Sequence, residues 1–510
     1  MKIPDQNARL MALDVTGVIM SNLRGLTELE FDNSYARLPS HWFQKTHITP
    51  LKHAHLISFN PPVARLLGMD PCRVSPAELT RVCSGASEWP GTRPLAMKYT
   101  GHQFGSYNPD LGDGRGLLLG EVVGPQGQRF DLHLKGAGKT AFSRFGDGRA
   151  VLRSSIREYL ASEAMSGLGI PTTRALCLLG SEEYTLRNGM EPCAMLLRVT
   201  SSHVRFGHFE YFYYTGQHED LARLAQYCLE RYYPEFESAE QPVAEMFAEV
   251  VRRSAELVAL WQAYGFVHGV LNTDNMSIIG ETFDYGPFTF MDQYEPDHVA
   301  NKNDHAGRYA FARQPSIVLW NLSALAQALL PLVDKERLEA ELDRFEALYQ
   351  AAKLKRMRAR LGLQAIRSTD AELVSSLESL WATQRVDHNR FLRLLSDWQA
   401  DDADSLGPLE ALFVDPSALT SWLTQYRQRL AHEAASTPIR QAQMRSINPR
   451  YILRNYMAED VIREAHQGDY RLLNALLPVL RHPGDEHSEH SRYAAAPPDW
   501  AAAIHLTCSS

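Results

Sequence analysis

The stretch 268–286, HGVLNTDNMSIIGETFDYG, concentrates the side chains best suited to chemistry. His268 and Gly269 open a tight loop, Asn275 closes it, and Asp284, Tyr285 and Gly286 follow after a short apolar run. Gly280-Glu281, between MSII (276–279) and TFDY (282–285), has the pattern of a two-residue II′ turn with glycine first. The expected hairpin sets Ser277 opposite Asp284 and brings Asn275 beside that carboxylate, roughly 5 Å away across the ladder. An amide oxygen and a carboxylate so placed suit Mg²⁺, which takes a few hard oxygens and leaves room for phosphate. Asp274, next to Asn275, stands either to accept a proton from an incoming hydroxyl or to cap its loop. The plainer reading of the same residues is an ordinary polar hairpin.

These groups need elements to position them and a partner ligand to act on. LLLGEVV (117–123) and FDLHLK (130–135) read as two strands joined by a Gly-Pro-Gln-Gly turn at 124–127. Lys135 ends the second strand. The segment 151–168 has helical periodicity and is stopped by Gly169 and Pro171. Ile156, Leu160 and Leu168 mark its buried face, and Glu158 falls near the edge, so Glu158 is the first choice of partner for Lys135 and Glu163 the second. GDGRG (112–116) is a Gly-rich turn whose amides suit phosphate, or a plain connection; Arg115 lies inside it. Arg198 and Arg205, seven apart beyond the last front strand, are either a bidentate grip on a polyphosphate or surface charges. KGAGKT (135–140) is not a P-loop, because the pattern needs glycine where His133 stands and no helix follows.

The chain has 510 residues and a net charge of −8, from 60 acidic and 52 basic residues. That balance argues against a general nucleic-acid binder. No apolar run reaches the ~18 residues of a membrane span. Residues 1–28 carry Asp5, Asp14 and Glu28 and lack the layout of a secretory signal, so an intracellular, cytoplasmic location is expected. The six cysteines have no zinc-type spacing and read as reduced thiols; Cys508 in the terminal HLTCSS is the exception, a thiol expected to be accessible. The helical pattern dominates 218–265 and 315–481, with breaks near 365–369, 401–407 and 446–450. The tail 482–510 reads as extended.

A strand-rich front with one embedded helix, followed by a helical rear, is the order of the two-lobed protein-kinase fold, an α+β architecture. The loop H-G-x-L-x-x-x-N followed by D-Y-G resembles the metal-binding core of kinase-type phosphotransferases, in which H-G-D carries the catalytic base. Here Val270 occupies that base position. From about Phe31 to Ser510 the chain resembles the selenoprotein O family. The resemblance rests on MKYTGHQFG, LGDGRG, LHLKGAG, GDGRAVLRSSIREYL, LGIPTTRAL, VTSSHVRFGHFE, HGVLNTDNMSI, DYGPF and the terminal CSS.

The resemblance implies a kinase-fold protein adenylyltransferase that binds ATP in a flipped orientation. It would move AMP to Ser, Thr or Tyr hydroxyls of proteins and release pyrophosphate; some members use UTP. It implies that Gly112, Gly114, Arg115, Lys135, Asp147, Gly148, Arg198 and Arg205 contact the nucleotide. Asn275 and Asp284 would bind Mg²⁺ or Mn²⁺, Asp274 would accept the proton, and Glu158 would pair with Lys135. A flipped nucleotide would give Arg115, Arg198 and Arg205 phosphates to neutralise. The corresponding division is 1–28 an extension, 29–200 an N-lobe, 201–481 a C-lobe and 482–510 a tail. The family's vertebrate members carry selenocysteine at the position of Cys508. No cysteine lies in 284–314, so a thiol latch between tail and site is not expected. A true kinase using Asp274 and an inactive nucleotide-binding scaffold are the competing readings of the same residues.

Overall fold

Strands of the front half are rich in Leu and Val at every position, not at alternate ones, which predicts a sheet covered on both faces. The computed structural model describes residues 23–507, apart from 188, 400 and 401, and has that sheet. Its strands are β1 (Phe43–Lys45), β2 (His55–Phe59) and β3 (Leu95–Met97), then β6 (Gly116–Val123), β7 (Arg129–Lys135), β8 (Ala150–Val151), β9 (Arg174–Leu186) and β10 (Met190–Thr200). They are ordered β1-β3-β6-β7-β10-β9-β2, with β8 on β10. All these pairings are antiparallel. The remaining front strands, β4 (Gly101–Gln103) and β5 (Ser106–Asn108), form a separate hairpin.

The alternation of side chains along a strand divides the buried leucines between two cores. Leu117, Leu119, Leu132, Leu134 and Leu197 face a front core shared with the helices Pro61–Leu66 and Pro76–Cys83. Leu118, Leu178 and Leu196 face the opposite way, onto the Leu152–Gly167 helix through Ile156 and Leu160. This second core continues without a break into the rear helices. The helix expected over 151–168 therefore forms, and it is buried almost all round.

The rear begins with the helices Phe206–Tyr214, His218–Tyr232 and Pro242–Tyr264. Helices dominate again from Gln314 to Arg481, with breaks around 361–369, 396–406 and 448–454. No helix among the described residues is long and apolar enough to cross a membrane. The 23-residue Pro242–Tyr264 helix starts with proline in its first turn and ends on Gly265, which is left-handed at φ +73°. A Cβ on Gly265 would sit 2.4 Å from the His388 ring. The chain then enters β11 (Phe266–Val267), which pairs antiparallel with β12 (Thr289–Phe290).

One expectation is corrected here. The tail is not extended: Ser488–Ala494 and Asp499–Ala503 are 3₁₀ helices, and Tyr493 is buried against the rear core. Apolar Tyr493, Ala501 and Leu506 among the polar residues bring it back onto the protein, and Leu506 bridges Asn301. Most of the 1–28 segment and Cys508 lie outside the described residues, although Leu26 is already buried in the front core.

Candidate active site

Residues 268–288 are the insertion between β11 and β12, and they line one cleft with Gly116 of β6, Lys135 of β7 and Arg198 of β10. The expected II′ hairpin at 280–281 does not form. Ser277 instead bridges Arg205 and Thr282 bridges Thr172, so the two halves pair outward with different front segments. The turn falls at Ser277–Gly280, closed by the Gly280 amide on the Ser277 carbonyl at 3.2 Å. With MSII and TFDY paired outward in this way, Met276, Ile278 and Phe283 are buried.

Between front and rear lies a cleft of about 530 Å³, within the size range of small-molecule sites. Of the twelve candidate residues, all but Glu158 line it. Gly112, Gly114 and Arg115 form one wall on the turn before β6, beneath Phe142 of the 139–148 loop. Asp147 and Gly148 stand on that loop. Gly148 is left-handed at φ +74°, and a Cβ there would lie 2.1 Å from the Gly138 carbonyl carbon. Asp147 does not reach out alone: Arg187 holds both its oxygens, at 2.7 and 2.9 Å, and Thr185 donates to it. These contacts overcome burial and keep the carboxyl below its ordinary range.

The floor is a chain of alternating charges. Lys135 Nζ is 2.5 Å from Glu158 Oε2, as expected, and Glu163 points away to Arg174 and Arg481. Arg198 lies inside β10, not beyond it, and donates to Glu158 at 2.5 and 3.0 Å and to Asp284 at 2.9 Å. Arg205 donates to the other Asp284 oxygen and, at 2.6 Å, to the Asp274 carbonyl. Its guanidinium is held between the rings of Tyr99 and Phe283, at 4.7 and 4.6 Å. Burial alone would raise the Asp284 and Glu158 carboxyls; Arg205 and Arg198 at Asp284, and Arg198 and Lys135 at Glu158, outweigh it and keep both ionised. Arg115 makes no ion pair among the described residues and keeps its charge for the cleft.

Asp274 is different. Its carboxyl is buried, and burial pushes it up to about 7 against the pull of Arg205, with the Asp284 charge adding to the rise. Oδ2 accepts from Gln103 Nε2 at 3.2 Å, while Oδ1 has no hydrogen-bond partner. Val270 lines the cleft nearby and has no group that titrates.

The loop carrying Asp274 is gripped by residues that spacing did not single out. His102 Nδ1 and Glu210 Oε1 are 2.5 Å apart, and Thr273 donates to Glu210. The Tyr309 hydroxyl donates to Asn272 Oδ1 at 2.6 Å. The G-H-Q-F-G run at 101–105, bounded by glycines, was the available signal for the hairpin that supplies His102; Glu210 and Tyr309 come from other segments.

The donors present fit a divalent cation that arrives with phosphate. Asn275 spends its amide nitrogen on the Val270 carbonyl at 2.9 Å, which leaves the oxygen to bind. Asp284 is held at φ +58°, a conformation aspartate tolerates better than most residues, and stays ionised. No group of three or more His, Cys, Asp or Glu side chains among the described residues could hold a metal unaided. An amide and one carboxylate are the sparse protein share that Mg²⁺ or Mn²⁺ takes when phosphate oxygens complete the shell.

A strand-rich front, a helical rear and a cleft crowded with cations around a carboxylate–amide pair are the makings of a polyphosphate-handling transferase. Comparison with known proteins narrows the class. The family model for Protein adenylyltransferase SelO matches residues 25–481. Protein nucleotidyltransferase YdiU of Hahella chejuensis is 57% identical over 492 residues, covering 96% of this chain and 100% of the relative. The YdiU proteins of Myxococcus xanthus and Pseudomonas aeruginosa (strain LESB58) are each 48% identical, over 95% and 96% of this chain and 99% and 100% of their own lengths. The chain belongs to the protein adenylyltransferase SelO family.

Proposed function

We propose that this protein transfers AMP from ATP to Ser, Thr or Tyr hydroxyls of other proteins and releases pyrophosphate. The observation that carries the reading is the disposition of charge. The cleft holds Lys135, Arg115, Arg198 and Arg205 around Asp284, while Asp274 brings to the same cleft a buried carboxylate oxygen without a hydrogen-bond partner. Cations so placed suit a triphosphate whose leaving group gains negative charge.

In the step proposed, the acceptor hydroxyl oxygen forms a bond to the α-phosphorus. The bond from that phosphorus to the α–β bridging oxygen breaks, its electron pair leaves with pyrophosphate, and the hydroxyl proton passes to Asp274. Mg²⁺ or Mn²⁺ on Asn275 and Asp284, when bound, neutralises phosphate charge. Lys135, oriented by Glu158, and Arg115 bind phosphate oxygens; Gly112, Gly114 and Gly148 let the backbone come close to them. Arg198 and Arg205 both lie on Asp284, so ligand binding is an exchange: their donors turn towards phosphate and Asp284 is released to the cation.

We also propose a kinase-like two-lobed architecture. The support is the order strand lysine, helix glutamate, H-G loop and D-Y-G, with Lys135 and Glu158 in contact. Val270 then marks the loss of the kinase base, and Asp274, four residues on and lining the same cleft, is its replacement.

The co-product tests the function. With ATP, a divalent cation and a mixture of cellular proteins, pyrophosphate should form in step with protein labelling. ADP as the co-product would make the protein a kinase, and neither product would make it a scaffold. The same assay with UTP would measure base preference.

A further inference from the structure

The β4–β5 hairpin is not part of the main sheet, yet it packs hard on the loop that carries Asp274. A Cβ on Gly101 would meet the Thr273 hydroxyl at 2.9 Å and the Asp274 amide nitrogen at 3.0 Å. The His102 amide donates to Thr273 Oγ1 at 2.7 Å, and the Phe104 amide approaches Asn272 Oδ1 at 3.3 Å. Successive hairpin residues thus hold Asn272, Thr273 and Asp274.

We infer that Gln103 is a positioning residue that aims Asp274 at the acceptor hydroxyl, with Asn108 setting the direction of its amide. Asn108 Nδ2 donates to Gln103 Oε1 at 3.1 Å. An amide oxygen engaged in that way turns its NH₂ group the other way, and Gln103 Nε2 donates to Asp274 Oδ2 at 3.2 Å. One carboxylate oxygen is therefore occupied. The other, Oδ1, is buried and without a partner, and Asp274 lines the cleft. A buried oxygen left unsatisfied costs free energy, and the arrangement makes sense if a substrate hydroxyl completes it. Gln103 lines the same cleft, and the role inferred for it is to act through Asp274, not to accept the proton.

This inference rests on Asp274 as the proton acceptor, and the experiment separates the two. Gln103→Met keeps the length of the side chain and removes the donor. It should lower kcat about tenfold or more, while the Kd of a non-hydrolysable ATP analogue with Mn²⁺ stays within about twofold. Asn108→Ala should lower kcat by a smaller factor, again with unchanged Kd. In the Asp274→Ala background, whose residual turnover is the reference, Gln103→Met should add no further loss, because a residue that acts through another is silent when that other is gone. Unchanged kcat in Gln103→Met overturns the inference. So does a parallel rise in Kd, which would make Gln103 part of the nucleotide wall, and so does a loss that multiplies with that of Asp274→Ala. Full turnover by Asp274→Ala alone would overturn the base assignment first and this inference with it.

Discussion

Glu158 carries two cations at once, Lys135 and Arg198, with its side chain almost wholly out of water. Removing one member of a buried charged set leaves the others unpaired, at a cost of about 3–5 kcal/mol. Glu158→Ala, which strips both cations of their carboxylate, should therefore lower the thermal midpoint as well as activity, whereas Lys135→Ala leaves Glu158 paired with Arg198 and should abolish transfer in a folded protein with a smaller loss of stability. Calorimetry beside the activity assay distinguishes them; a Glu158→Ala protein as stable as the parent would contradict the account of the floor. Asp284→Ala should also abolish transfer, yet metal-free nucleotide binding should hold or tighten, because Arg198 and Arg205 are set free. A Glu281 prediction concerns pH. Burial raises its carboxyl from 4.5 to about 7, with Thr200 and Arg253 opposing. A folded-state value above the unfolded one means that the group favours folding fully below pH 4.5 and loses that contribution as pH rises through about 7. Glu281→Gln should then gain stability, on the order of 1 kcal/mol, above pH 7 and none near pH 4. Denaturant titrations at both pH values check this.

At the scale of elements, much was legible. The strands around 117–135 and the 151–168 helix follow from local pattern, because β6, β7 and that helix are apolar runs whose burial agrees with their own periodicity. The Lys135–Glu158 pair could be read from one strand end and one helix edge. The 276–285 hairpin could not, since its turn signal is local while the winning pairs, Ser277 with Arg205 and Thr282 with Thr172, join residues at least 72 positions apart by their numbering. Nor could the grip of the β4–β5 hairpin on residues 272–274, which exists only once the chain has folded. The 139–148 loop supplies a test at this scale. Gly148→Ala forces a side chain into the Gly138 carbonyl and strains a left-handed residue, a cost of about 1–3 kcal/mol. If the loop is displaced to relieve it, ATP affinity should fall about tenfold, as read by isothermal titration. Unchanged affinity would remove Asp147 and Gly148 from the nucleotide site.

The whole molecule is held together across the cleft's rear by long-range charge and close backbone contact. Glu163 of the Leu152–Gly167 helix binds Arg174 at 2.7 Å and Arg481 at 2.5 Å, and Arg153 reaches Glu459 at 2.8 Å. Two residues after Met165, a Cβ on Gly167 would lie 2.1 Å from the Leu480 carbonyl oxygen, so the helices touch at backbone distance there. The helix that positions Glu158 is in this way fixed to the rear. Glu163→Ala should lower the thermal midpoint of front and rear together, and separate transitions would show that the two halves are less coupled than the continuous core indicates. The central claim is that the α-phosphoryl group, with its nucleoside, is what moves. Parallel reactions with [α-³²P]ATP and [γ-³²P]ATP in the presence of Mg²⁺ or Mn²⁺ test it most directly. Label should pass to protein from the α position alone and disappear in Asp284→Ala; label from the γ position alone would contradict the account.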